Sequence, residues 1–101
     1  MQAKQINKVF ASNLNPTIIA GDFNAEPNSK TITILESHWT RSYNKNNPEP
    51  TYPSDNPSKK IDYVMFYPKH RWKVLKTEII QDTYASDHCA YLVTLLLLDK
   101  N

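Results

Sequence analysis

Three short clusters in the chain carry side chains able to do acid–base or anion chemistry: Asp22 with Asn24, Asp62, and the adjacent Asp87 and His88. Asp22 and Asn24 follow Thr17-Ile18-Ile19-Ala20-Gly21, an apolar run that ends in the only glycine of the chain. A carboxylate there can accept a proton or hold a water, and an amide two residues on can donate to a developing anion. The same residue types also suit an ordinary strand-to-turn junction, because Gly, Asp and Asn are common turn residues. Asp62 is the second residue of Ile61-Asp62-Tyr63-Val64-Met65-Phe66-Tyr67. Buried and ionised, it needs a donor, and a histidine is a natural one. The alternative is a frayed strand start that faces water. A carboxylate on one imidazole nitrogen fixes the tautomer, and a further carboxylate can hold a hard cation such as Mg²⁺. Brought together, these groups suit attack of water on a phosphoester. Other nucleophilic chemistries fit less well. Cys89 directly follows His88, and no serine stands in a Gly-x-Ser-x-Gly elbow.

The elements that must position these groups are legible in the apolar spacing. Ala3, Ile6, Val9 and Phe10 recur at helical intervals and predict an amphipathic helix, stopped by Asn13-Leu14-Asn15-Pro16. Ile18 and Ile19 predict a buried strand, with Gly21 allowing a sharp exit that a side chain would obstruct. Pro27-Asn28-Ser29 has the chemistry of a helix start, and Ile32, Leu35 and Trp39 share a face, so a short helix is expected over 29–38. His38 at its end reads as a surface or capping residue. The stretch 41–60 is rich in Asn, Pro and Ser and reads either as a solvated connector or as a substrate-facing loop. Residues 61–67 form a second strand closed by Pro68. A partly exposed strand is expected over 72–81, and a strand buried on both faces over 89–98. Helices feeding strands imply a layered α/β architecture.

The bulk numbers exclude several classes. A chain of 101 residues is one domain at most, and 40% hydrophobic with 22% charged residues describes a globular one. A net charge of +2 is too weak to imply a nucleic-acid footprint. One cysteine excludes an internal disulfide framework and any CxxC metal site. No apolar run reaches membrane-spanning length, and the polar opening Met1-Gln2-Ala3-Lys4-Gln5 has no apolar core of a signal peptide.

Three pieces together, Gly21-Asp22-Phe23-Asn24-Ala25-Glu26-Pro27, Lys60-Ile61-Asp62-Tyr63-Val64 and Ser86-Asp87-His88-Cys89, resemble the endonuclease/exonuclease/phosphatase superfamily of metal-dependent phosphodiesterases. Thr51-Tyr52-Pro53 resembles it as well. The resemblance implies that Asp22 orients or activates the attacking water and that Asn24 bonds a phosphate oxygen. It implies that Asp62 orients the catalytic His88, and that Asp87 serves metal binding or leaving-group protonation. The implied cofactor is Mg²⁺ or Mn²⁺, with Asp87 and Asp22 as its ligands.

The resemblance also implies a fold: half of a four-layer α/β sandwich, with a mixed, largely antiparallel sheet and flanking helices. Residues 1–101 match only the C-terminal half of such a domain. The early Asn, the metal-ligating Glu and the His-containing strand of the first half are not among them. The expected function is therefore the catalytic half of a Mg²⁺-dependent phosphoester hydrolase (nuclease, inositol-phosphatase or sphingomyelinase-like), inactive by itself. The alternative is a non-catalytic folding or interaction module. Expected partners are a phosphoester substrate, the missing N-terminal half, and a second copy of the chain through an exposed sheet face. Ile19, Tyr63, Met65, Leu92 and Leu96 are the candidates for that face.

Overall fold

The computed structural model describes residues 3–100; Met1 and Gln2 of the polar opening, and Asn101, lie outside the described residues. Helix α1, Ala3–Phe10, packs on helix α2, Lys30–Glu36. Ala3, Ile6 and Phe10 face inward, and Phe10 meets the edge of Trp39 at 5.6 Å. Val9 does not share that face. At about 100° per residue it falls outside the arc of the other three, and it is 62% exposed. Asn7 turns inward instead, donating to the Ile34 carbonyl at 2.6 Å and accepting from Trp39 Nε1 at 3.1 Å.

Helix α2 starts where expected, because the Ser29 side chain accepts from the Ile32 amide. It ends at Glu36, short of His38, since the Ser37 backbone and hydroxyl both turn back onto the Ile34 carbonyl. Ile32 and Leu35 are fully buried, and Trp39 nearly so. His38 is no surface cap. It is partly buried with its ring stacked on Tyr67 at 4.2 Å.

Strands β1 (Thr17–Asp22), β2 (Thr40–Arg41) and β3 (Asp62–Tyr67) form an antiparallel sheet in the order β1-β3-β2. A short 3-10 turn, Lys69–Arg71, leads to β4 (Trp72–Ile80), which pairs antiparallel with β5 (Ala90–Leu97) around a bulge at Leu75. Every strand pairing among the described residues is antiparallel. The architecture is α/β. No helix of the described residues is long and apolar enough to cross a membrane.

Register decides which face each strand residue takes. Ile19 opposite Met65 and Gly21 opposite Tyr63 point to the helices, and Tyr63 and Met65 are core residues there. Ile18, Ala20 and Asp22 alternate onto the other face with Phe66, Val64 and Asp62. The expectation that Ile19, Tyr63 and Met65 belong to an open face is therefore corrected, because the helices already cover them. Leu92 and Leu96 remain exposed, and Ile18 and Ala20 are exposed as well, on the side of their own sheet away from the helices. Nor is β1 buried throughout, and β5 is not buried on both faces; it alternates exposed and half-buried residues along most of its length.

The stretch 41–60 is not a solvated connector throughout: residues 44–47 are exposed, while the part around 51–54 is anchored. Thr51 and Ser54 are buried, and Tyr52 bridges Lys59. Gly21 has φ +153°, a conformation rare for L side chains, while an added Cβ would meet nothing closer than Phe23 at 3.9 Å. Backbone conformation, and not lack of room, is what the glycine supplies.

Candidate active site

The β1–β3 pairing sets Asp22 directly across from Asp62, on the face away from the helices. His88, at the end of the 81–89 connection, reaches both. Its Nδ1 lies 2.8 Å from Asp62 Oδ2 and its Nε2 lies 3.6 Å from Asp22 Oδ2. The Asp62–His88 distance falls within the hydrogen-bond range expected of an oriented imidazole. Asp62 is no frayed strand end: its side chain is 19% exposed, against 46% for Asp22. The hydrogen bond to Asp62 lifts the His88 pKa above the usual imidazole value. Partial burial opposes this, and the charges of Asp62, Asp22 and Asp87 add to it.

The loop after β1 is shaped by the chain's own turn chemistry. Asp22 Oδ1 accepts the Asn24 amide at 2.8 Å, and Asn24 takes a left-handed conformation with φ 48°. The Asn24 side chain is exposed beside the carboxylate. Phe23 turns inward to stack on Tyr63 at 5.4 Å, which anchors the loop between the two polar residues. Asp87 is exposed; its carbonyl accepts from the Ser54 amide at 2.7 Å. Asp22, Asp62 and His88 thus come together with one donor atom each within 4.8 Å of one another. Asp87 contributes charge to His88 but stands outside that group.

The oxygen donors fit a hard divalent cation in part. Asp22 is accessible and anionic, whereas Asp62 is committed to the imidazole, and His88 is flanked by carboxylates on both nitrogens. A groove of about 250 Å³ runs past Asp62 between Ala20, Val64 and Ala90, and a second of about 380 Å³ lies beyond His88 against Ile80, Ala85 and Ala90.

Sequence reasoning missed Lys60. It is 3% exposed, and its Nζ sits 3.3 Å from the Tyr91 ring centroid with Tyr43 and Tyr63 close by. Burial pushes its ammonium down to about 8. Its burial among these aromatics is what sets it apart, and nothing in the local sequence pairs it with Tyr43 and Tyr91, which come from segments distant in sequence.

A model of the Endonuclease/Exonuclease/phosphatase family matches residues 2–88, which include all the residues above except the start of β5. No curated protein matches the chain. The crystal structure of a functionally unknown conserved protein from Enterococcus faecalis V583 shares the fold, with a TM-score of 0.76 at 22% identity. The match covers 93% of this chain and 42% of that one, so the chain spans less than half the length of that protein.

Proposed function

Because the chain belongs to the endonuclease/exonuclease/phosphatase family, we propose that it is the C-terminal half of a phosphoester hydrolase dependent on Mg²⁺ or Mn²⁺. The observation that carries this reading is the line Asp62–His88–Asp22, at 2.8 and 3.6 Å. Asp62 holds Nδ1 of His88 and favours the protonated ring, so Nε2 is a donor on the side of the half-exposed Asp22. There it binds a phosphoryl oxygen and counters the charge that grows in the transition state. Asp22 orients the attacking water and accepts its proton, and Asn24 bonds a second phosphate oxygen. Asp22 is the carboxylate of the group that would hold the metal, which when bound would supply Lewis-acid polarisation of the phosphoryl group; Asp87, expected as a second ligand, stands outside that group.

In this reading the sheet bearing the site is one inner layer of a four-layer sandwich, and the uncovered face receives the other half of the domain. A second reading, a non-catalytic folding or interaction module, draws on the same uncovered apolar face. The two separate in one assay. Hydrolysis of a panel of phosphoesters with Mg²⁺ or Mn²⁺ is measured for the isolated chain and for the chain supplemented in trans with an N-terminal half. The isolated chain is expected to be inactive and the reconstituted pair active, with most turnover lost on Asp22→Asn or His88→Ala in a folded protein. Strong hydrolysis by the isolated chain would overturn the half-domain reading. A reconstituted pair indifferent to His88→Ala would overturn the site.

A further inference from the structure

Thr51 has no part in the chemistry above, yet it touches the supports of both members of the Asp62–His88 pair. It is fully buried. Its Oγ1 accepts from the amides of Ile61 and Asp62, each at 3.3 Å. Its carbonyl accepts the Cys89 amide at 2.7 Å, and its own amide donates to Lys59 at 2.8 Å. One residue thus ties the first residue of β3 to the segment that delivers His88. The tie continues through Ser54, whose amide donates to the Asp87 carbonyl at 2.7 Å and whose hydroxyl donates to Ser86 at 2.6 Å. Between them, the Tyr52 ring lies 4.8 Å from the His88 ring.

Asp62 and His88 are 26 residues apart on segments that are not paired as strands. Apart from their own hydrogen bond, the 51–54 segment provides the short polar links between the two backbones. We propose that Thr51 is a positioning residue: its hydroxyl and carbonyl together set the distance and angle at which Asp62 meets the His88 imidazole. A hydroxyl is needed because two converging amides require one acceptor at a buried point, which an apolar side chain of the same shape cannot supply. A β-branched residue is favoured because its hindered χ1 keeps that oxygen in place. The proposal rests on reading Asp62 and His88 as a working pair, but it can be tested without turnover.

The readout is the tautomer of His88 in the 101-residue chain, taken from ring ¹⁵N shifts at a fixed alkaline pH where the imidazole is neutral. In the parent, the Nδ1-protonated form is expected to predominate, because Asp62 accepts from it. Asp62→Asn marks the pattern of a broken pair. Thr51→Val should lose most of the Nδ1–H excess and move toward that pattern, while Thr51→Ser, which restores the oxygen, should stay near the parent. Leu35→Ala, a core truncation remote from the pair, should melt earlier yet keep the parent pattern. A folded Thr51→Val with the parent pattern would overturn the proposal, as would a Leu35→Ala shift equal to that of Thr51→Val. If Thr51→Val does not fold, Ser54→Ala decides. A partial shift in the same direction supports the tie, and an unchanged tautomer overturns it. Should the shifts follow expectation in a protein that hydrolyses no phosphoester after reconstitution, the positioning role stands and the hydrolase reading falls.

Discussion

At the scale of single residues, His88 is the group whose behaviour reports the site most directly. Its pKa is raised, chiefly by the hydrogen bond to Asp62. A base whose folded value lies above its unfolded one binds its proton more tightly in the native state. Its contribution to stability is therefore complete below the unfolded value and is lost as pH rises through the folded one. NMR titration of the imidazole is expected to give a midpoint above about 6.5. Asp62→Asn should bring it down to that value or lower, while Asp87→Asn, which removes only a more distant charge, should move it less. Equal midpoints in the parent and Asp62→Asn would mean that the 2.8 Å contact does not persist in solution.

At the scale of elements, the helical layer is held to itself by one polar residue as well as by its apolar stripe. Asn7 bonds the Ile34 carbonyl of α2 and accepts from the indole of the buried Trp39. Removing it strands both groups, and an unsatisfied buried group costs about 1–3 kcal/mol. Asn7→Ala should lower stability by roughly that amount in urea unfolding. Val9→Ala, on the exposed side of the same helix, should stay within about 0.5 kcal/mol. A larger loss at Val9 than at Asn7 would contradict the face assignment. The layer matters to the site because Tyr63, packed beneath it, alternates with Asp62 along β3. Anchoring one side of the strand presents the other.

At the scale of the whole molecule, the sheet face opposite the helices is left open. Ile18 on the β1-β3-β2 sheet is 45% exposed, though its partner Phe66 is buried, and Leu92, Leu96 and Ile80 of the β4–β5 pair are 47%, 44% and 49% exposed. Covering about 600 Å² on each of two partners, at about 25 cal/mol per Å², gives a driving force of tens of kcal/mol before association costs. The missing half of the domain is the proposed occupant in the complete protein. In its absence, a second copy is the economical substitute, since one self-complementary patch closes a two-fold dimer. Light scattering on the isolated chain should then give twice the chain mass of 11.7 kDa. Adding an N-terminal half should convert it to a one-to-one complex. A monodisperse monomer would defeat the argument.

The α/β class, the strands around Asp22 and Asp62 and the Ser29 helix start were legible in the chain itself, and a donor for Asp62 was one of the two readings its position left open. All of these are local. Apolar period, turn chemistry and the cost of an unpaired carboxylate act within a few residues and leave their mark in the composition of each stretch. The tertiary structure alone decided which side of each strand meets the helices. An alternating pattern says which residues share a face, but not what lies against it. That is why Tyr63 and Met65 proved to be core, while Ile18 and Ala20 are open. It also decided where Thr51 and Ser54 are bonded. Thr51 and Ser54 look like ordinary loop residues, and what they do consists of bonds to segments 8 to 38 residues away in sequence. Such contacts carry no local signature, because the partners are chosen by the packing of the finished sheet and not by the residues beside them.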